Sequence, residues 1–132
     1  MSDVQPGDVL ATQEYAVTRE DLVRYAAASG DHNPIHQDDA VASSVGLPGV
    51  IAHGMFTMAL AARAVAEWTG GAQVVELGCK FTNPVVVPAA GGVDVVVAGT
   101  VKSVADGLVT IALEVTSGGQ KVLGMPKAVV RA

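Results

Sequence analysis

Hydrophobic residues change their spacing about halfway along the chain. Residues 7–17 alternate loosely between apolar and polar side chains, which predicts a short first strand. Residues 18–30, "TREDLVRYAAASG", then place apolar side chains at helical intervals. Thr18 is a suitable N-cap for this helix, and Gly30 is suitably placed to end it. The first part of the chain is therefore a strand followed by an amphipathic helix.

A second, more apolar helix is predicted over residues 53–71, "HGMFTMALAARAVAEWTGG", with a shorter one before it over residues 38–49. Only Arg63 and Glu67, four residues apart, supply charge within the longer segment. Because a helix that is apolar on nearly every side is usually buried, we expect this one to be enclosed by other elements.

From Val74 onward the pattern favours strands rich in Val, Thr and Ile. Breaks at Gly, Pro or Asp-Gly divide the region into four predicted strands within residues 74–87, 91–104, 107–117 and 119–132. They are predicted to run antiparallel in succession, as a meander. A twisted antiparallel sheet wrapped around the central helix would bury both, so the predicted class is α+β.

Length and composition suggest one domain that has a partner. The chain has 132 residues, of which 50% are hydrophobic and 16% charged, and we interpret residues 1–132 as a single domain. A domain of this size buries only part of so much apolar surface by itself. We therefore expect it to associate, most simply with a second copy of itself.

Charge and cysteine content exclude several classes of function. The net charge is −5 and the basic residues are scattered, which argues against binding to nucleic acid or to anionic membrane surfaces. No apolar run is long enough to cross a membrane, and the acidic N-terminus does not resemble a signal peptide. Cys79 is the single cysteine, which fits a reducing cytoplasm and a small strand residue. We expect a cytoplasmic protein.

The stretch "SGDHNPIH", residues 29–36, is the first candidate for chemistry. Pro34 restricts the backbone here, so the loop could hold the carboxylate of Asp31 and the imidazole of His36 in a fixed relation suited to acid–base catalysis. The alternative is a solvated turn in which Asp31 and Asn33 cap the next segment. Spacing alone leaves both interpretations open.

A second candidate is "IAHGM", residues 51–55, at the start of the apolar helix. The N–H of Gly54 would be among the donors that a helix leaves without a partner, and it could stabilise a developing oxyanion. The alternative is that Gly54 only relieves crowding and that His53 is an interior histidine. Asp31, His36 and His53 also have ligand types suitable for zinc, but no metal-binding spacing supports that interpretation.

These stretches together resemble a known family. "YAAASGDHNPIHQDDAVA" followed by "GLPGVIAHGMFTMAL" is similar to the MaoC-like family, the hydratase-2 branch of the hot-dog-fold proteins. The likeness covers nearly the whole chain. It implies a single hot-dog fold in which an antiparallel sheet wraps a long central helix and two such folds dimerise.

The resemblance also implies an activity and a site. Members are (R)-specific enoyl-thioester hydratases and (3R)-hydroxyacyl-thioester dehydratases, which are hydro-lyases of fatty acid metabolism. Asp31 and His36 match the catalytic pair, Asn33 matches the residue that helps hold the pair and its water, and Gly54 matches the N–H that receives the thioester oxygen. This chemistry requires no metal and no redox cofactor. Which member of the pair handles the α-proton stays open.

Partners and alternatives follow from the same likeness. The substrate would be an acyl-CoA or acyl-ACP thioester, and the second subunit an identical chain or another hot-dog subunit. A non-catalytic acyl-thioester-binding subunit and a hot-dog thioesterase are the competing hypotheses. His32 has no assigned role, and we expect its side chain to face solvent.

Overall fold

A computed structural model of the chain describes residues 3–132 as an antiparallel sheet packed against one long helix. The helices are α1 (Arg19–Ser29), α2 (Asp39–Ser44) and α3 (Gly54–Thr69), with a short 3-10 helix at Pro34–His36. The strands are β1 (Val9–Val17), β2 (Val74–Phe81), β3 (Val93–Ala105), β4 (Leu108–Ser117), β5 (Gln120–Lys121) and β6 (Leu123–Arg131).

Local capping signals set both ends of α1 and the C-terminal end of α3, as predicted. At the start of α1, the Thr18 hydroxyl accepts the Asp21 N–H while the Asp21 carboxylate accepts the Thr18 N–H, which forms a capping box. Gly30 ends α1 in the left-handed conformation, with φ of 79°, where glycine carries no steric penalty. Gly70 ends α3 in the same way. The helix that leads into the candidate loop therefore stops at a defined residue.

The sheet order is β1-β3-β4-β6-β2, with the short β5 paired to β4. The predicted simple meander is therefore wrong in one respect, because β2 pairs with the last strand, β6, and not with β3. The predicted strand over 74–87 also ends at Phe81, and Val86 forms an isolated bridge with Ile51. β2 and β1 lie at the two edges of the sheet.

The core lies between one face of α3 and the inner face of the sheet. Strand β3 alternates as predicted, with Val95, Val97 and Val101 fully buried and Asp94 exposed. The buried residues of α3 share one side of the helix. They are Thr57, Leu60, Ala61, Ala64 and Val65.

The opposite side of α3 does not fit the expectation of a helix enclosed on every side. Met55 is 57% exposed and Ala59 is also exposed, so this apolar surface is left uncovered within a single chain. Arg63 and Glu67 form the predicted ion pair at 2.9 Å on the same helix. Part of the apolar surface of the central helix is thus accessible in a single chain.

Among the described residues, the structure has no helix that is both long enough and apolar enough to span a bilayer.

Candidate active site

The loop that follows α1 forms local turns and also contains the candidate catalytic side chains. The Asp31 carboxylate accepts the N–H of Asn33 at 3.2 Å, and the Asn33 side-chain oxygen accepts the N–H of Ile35 at 3.2 Å. Each side chain thus closes a local turn over its own backbone. Pro34 then opens the 3-10 helix that ends at His36. The two interpretations of this stretch are therefore compatible, because the turns themselves set the position of Asp31 relative to His36.

His36 is buried, with 7% of its surface exposed, and its ring has a defined proton arrangement. Its Nδ1 lies 2.7 Å from the carbonyl oxygen of Ile51. Since a carbonyl can only accept a hydrogen bond, Nδ1 carries the proton, and Nε2 of the neutral ring holds a free lone pair. Nε2 is therefore the atom of His36 that can take up a proton.

Asp31, His36 and His53 are brought together from two separate segments. One carboxylate oxygen of Asp31 and one ring nitrogen of each histidine all lie within 4.8 Å of one another. The histidine rings are stacked with centroids 3.8 Å apart and planes 24° from parallel. Nδ1 of His36 and Nε2 of His53 contact backbone carbonyls, so the other nitrogen of each ring is the one that can accept a proton.

His53 is the member of this cluster that the sequence analysis did not place in the site. Its side chain is 1% exposed, and its Nε2 lies 3.1 Å from the carbonyl oxygen of Asp31. Its Nδ1 is buried and has no hydrogen-bond partner among residues 3–132. Burial is the main cause that lowers the pKa of His53, and the nearby His36 adds to it, although the contacts with Asp31 oppose the change. The feature of the sequence that indicates this placement is that His53 directly precedes Gly54 at the start of α3.

Gly54 opens α3 and faces a cavity of about 340 Å³. Its N–H belongs to the first turn of the helix, where donors have no acceptor within the helix. A β-carbon added to Gly54 would lie 3.0 Å from Cε1 of Phe81, so the aromatic ring packs closely over this backbone. The cavity is mostly apolar. Its lining includes His36, Ile51, Ala52, Gly54, Thr57, Phe81, Thr82, Asn83, Pro84, Val85, Val122 and Leu123.

A polar clamp holds the segment that supports His36. The Asp39 carboxylate accepts the N–H of Val50 at 3.0 Å and pairs with Arg19 at 2.9 Å. Arg19 also donates from Nε to the carbonyl of Val87 at 2.7 Å. The hydrogen bond from Val50, followed by those from Arg19, holds the pKa of Asp39 below its ordinary value. The clamp thereby joins α1, α2 and the segment whose Ile51 carbonyl orients His36.

Two other residues considered in the sequence lie outside the cluster. The His32 side chain is exposed, as expected. Cys79 lies partly buried in β2, and burial raises the pKa of its thiol, so it is protonated at neutral pH. Cys79 is therefore a structural residue of the strand, and its thiol is not an activated nucleophile.

Several known proteins resemble this chain in sequence and in fold. The family model of the MaoC like domain matches residues 3–119. The "3-hydroxyacyl-thioester dehydratase X" of Mycobacterium tuberculosis is 43% identical over 77 residues, which are 58% of this chain and 26% of that protein. This chain thus spans about a quarter of the length of that curated relative.

Solved structures have the same arrangement of helix and sheet. A "MaoC-like dehydratase" superposes with a TM-score of 0.94 at 38% identity, covering 98% of this chain and 41% of the other. The R-hydratase PhaJ1 of Pseudomonas aeruginosa superposes with a TM-score of 0.84 at 28% identity, covering 98% of this chain and 83% of the other. With a family match over most of its residues and a hot-dog architecture throughout, the chain belongs to the MaoC-like domain family.

Proposed function

We propose that this protein interconverts (3R)-hydroxyacyl thioesters and trans-2-enoyl thioesters by removing or adding water. The observation that carries the proposal is the grouping of the Asp31 carboxylate with the imidazole of His36 beside an apolar cavity that the N-terminus of α3 also faces. Such a site offers a proton acceptor, a proton donor and a backbone N–H to one small apolar substrate.

Dehydration requires two proton movements. The C–H bond at the α-carbon breaks and its proton goes to a base, while the C–O bond at the β-carbon breaks and the hydroxide leaves as water with a proton from an acid. The C–H electrons form the new double bond. Asp31 and His36 share these transfers, and Nε2 of His36 is the ring atom available for them because Nδ1 is held by Ile51. Hydration reverses every step.

The N–H of Gly54 acts on the charge that develops during these steps. Loss of the α-proton moves negative charge onto the thioester oxygen, and a donor at a helix N-terminus stabilises that oxygen in the transition state. The close packing of Phe81 over Gly54 keeps the approach apolar, which strengthens the interaction. In this proposal the side chain of Asn33 holds the loop, and its amide group also holds the reacting water beside Asp31 and His36.

The substrate is an acyl thioester of coenzyme A or of an acyl carrier protein. The mostly apolar cavity beside His36 suits an acyl chain, and its volume of about 340 Å³ is at the lower end for small-molecule sites. The reaction itself uses only protons and water, so we propose that no redox cofactor takes part. We also propose a cytoplasmic location, in keeping with the single protonated thiol of Cys79.

A second hot-dog domain is proposed as the partner, most simply another copy of this chain. The outer face of α3, defined as Met55, Met58, Ala59 and Ala62, forms an apolar groove with Tyr25 and Leu77. Leu77 belongs to β2, which is an edge strand with an unpaired side. An apolar helix face next to a free strand edge is complementary to the same surface on a second copy.

The test is the absorbance of the conjugated enoyl thioester, followed with crotonyl-CoA and with a longer homologue. We expect the wild-type chain to hydrate at least one of them. Asp31→Asn and His36→Gln should each lower turnover by about 10²–10⁴-fold, since each removes a proton-transfer group. His32→Gln is the matched control, because His32 is an exposed histidine of the same loop, and it should keep wild-type turnover.

Other results would contradict the proposal. Full activity of the Asp31 or His36 variant would exclude the assigned pair. Binding of crotonyl-CoA and of its longer homologue without loss of their absorbance would instead indicate a non-catalytic subunit. Release of free thiol, detected with a thiol-reactive dye, would indicate a thioesterase.

A further inference from the structure

We infer that His53 is a positioning residue, an uncharged imidazole that holds both Asp31 and His36 in their reactive arrangement. The inference rests on the proposed function and adds a residue to its machinery. His53 does not face the substrate cavity, but it contacts both members of the pair. It therefore acts on the reaction through its neighbours.

The first contact fixes the Asp31 loop. Nε2 of His53 lies 3.1 Å from the carbonyl oxygen of Asp31, so Nε2 carries a proton and donates it to that oxygen. Apart from this bond, the Asp31 loop is held mainly by local turns between near neighbours in sequence. The bond from His53 spans 22 residues and ties the loop to the start of α3.

The second contact fixes the His36 ring. The rings of His36 and His53 stack at 3.8 Å between centroids, and the Ile51 carbonyl holds His36 Nδ1 at 2.7 Å. Ile51 and His53 are two residues apart on one extended segment. Rotation of the His36 ring would lose both contacts together, so Nε2 of His36 has one strongly preferred direction.

That segment is itself held firmly against a neighbouring one. Ala52 donates its N–H to the carbonyl of Val85 at 2.9 Å, and Val87 donates to the carbonyl of Val50 at 2.9 Å. Residues 50–53 therefore behave as a short rigid strip to which both restraints on His36 belong. A catalytic group supported by such a strip keeps its geometry within the narrow limits that proton transfer needs.

His53 can do this only as a neutral ring. The titratable groups that face it are Asp31 and His36 from the loop and Tyr25 from α1, whose ring centroid lies 4.7 Å away. A charge on His53 would repel a proton arriving at the stacked His36. Its almost complete burial opposes that charge, and in the part of the chain that the structure describes no acceptor is hydrogen-bonded to its Nδ1.

Three variants separate the two contacts. His53→Phe keeps a ring for stacking but loses the donor to Asp31, His53→Gln keeps a donor but loses the stack, and His53→Ala loses both. We expect kcat to fall about tenfold in each of the first two variants and about a hundredfold in the third. The KM for crotonyl-CoA and the binding of butyryl-CoA, which cannot react, should change less than threefold.

A double-mutant cycle distinguishes positioning from general structural support. In a His36→Gln background, replacing His53 by Gln, which keeps a donor to Asp31 and loses only the stack, should cost less than about threefold in kcat, because the ring against which His53 stacks is already gone. Equal losses in both backgrounds would overturn the inference. So would a wild-type kcat in His53→Phe and His53→Gln with unchanged unfolding temperatures.

Nitrogen-15 NMR of the wild-type histidines tests the arrangement independently of turnover. We expect His53 to be neutral and protonated at Nε2 from pH 7 to 8, and neutral His36 to be protonated at Nδ1. If the protein fails to hydrate any enoyl thioester but shows these tautomers, the proposed function fails while the arrangement stands. A His53 that becomes charged within this range would contradict the positioning role directly.

Discussion

The ring of Phe81 packs over the backbone of Gly54, so that a β-carbon on Gly54 would lie 3.0 Å from Phe81 Cε1. Phe81 ends the edge strand β2 and is 57% exposed, whereas Gly54 opens the central helix. The two residues are thus the point at which the edge of the sheet meets the proposed oxyanion donor. A larger residue at position 54 would crowd the neighbouring ring, whereas the backbone angle of Gly54 is not in the left-handed region.

Gly54→Ala should therefore harm activity far more than stability. The added methyl group must displace the Phe81 ring, which can move at small cost because it is exposed, and alanine is the better helix residue. We expect the free energy of unfolding to change by less than about 1 kcal/mol. The kcat/KM should fall by up to about 10²-fold, because the methyl group and the displaced ring crowd the approach of the thioester oxygen to an N–H that alanine retains.

Adding Phe81→Leu to Gly54→Ala provides the control. The smaller side chain makes room for the methyl group, so the double variant should recover part of the lost kcat/KM relative to Gly54→Ala. If Gly54→Ala alone keeps full activity, the contact with Phe81 has no part in shaping the site.

A second close approach involves Gly99 of β3 and Trp68 of α3. A β-carbon on Gly99 would lie 2.7 Å from Cη2 of Trp68, whose indole N–H also donates to the carbonyl of Ala11 at 2.6 Å. Gly99→Ala should lower the free energy of unfolding by about 1–3 kcal/mol through overpacking. Trp68 is the single tryptophan, so a change in its fluorescence emission reports the displacement directly.

The matched control is Gly78→Ala in β2, where a β-carbon meets nothing within 4 Å and φ is not positive. This change should leave the stability equal or slightly higher, because alanine reduces the freedom of the unfolded chain. Equal destabilisation by both substitutions, measured at the same protein concentration, would show that packing against Trp68 is not the cause.

Local signals in the sequence were sufficient for the helices and insufficient for the strand order. Thr18, Gly30 and Gly70 define helix ends through contacts with residues only a few positions away. The pairing of β2 with β6 joins residues about 50 positions apart in the chain, as in the pair Leu77 and Ala128. Such a pairing is selected by how the sheet closes around α3, which no local pattern records.

The same difference applies to the candidate site. Asp31 and His36 stand out because a Pro-containing loop between helices is a local feature, and Gly54 because it opens a helix. The contact of His53 with both depends on the extended pairing of residues 50–52 with 85–87, which brings its ring against His36. The catalytic assignments of Asp31, Asn33, His36 and Gly54 stay predictions until the variants are measured.

The outer face of α3 predicts self-association that one charge can disrupt. Met55 is 57% exposed on that face, and Met55→Glu would place a carboxylate in the proposed apolar interface. We expect the wild type to sediment with the mass of two chains and Met55→Glu with the mass of one. Met125→Glu is the control, since Met125 is 83% exposed on β6, away from that face. A monomeric wild type would contradict association with a second copy.

The clamp around Asp39 predicts a specific acid sensitivity. The pKa of Asp39 is lowered in the folded protein, so its charge stabilises the fold above the ordinary carboxyl pKa of about 3.9. That stabilisation is lost as the pH falls through the lower pKa of the folded state. Asp39→Asn keeps an oxygen for the Val50 N–H but removes the charge that faces Arg19.

The expected result is an unfolding temperature for Asp39→Asn that lies below the wild-type value at pH 6–7 and approaches it as the pH falls below the ordinary carboxyl pKa of about 3.9. Asp94→Asn, which removes an exposed carboxylate of β3, should lie close to the wild type at every pH. A constant difference between Asp39→Asn and the wild type across the whole range would mean that the charge is not responsible.

Asn33 offers a way to separate the turn from the chemistry within one side chain. Its oxygen accepts the N–H of Ile35, and an aspartate at this position can do the same, whereas alanine cannot. Asn33→Asp should therefore keep the wild-type stability within about 0.5 kcal/mol, and Asn33→Ala should lose about 1 kcal/mol.

If the amide N–H₂ group of Asn33 also holds the reacting water near Asp31 and His36, both variants should lose at least tenfold in kcat, because neither supplies that donor. Chemical denaturation and the enoyl-thioester assay on the same samples measure the two effects side by side. A fully active Asn33→Asp would assign Asn33 to the turn alone and leave the water to the other two residues.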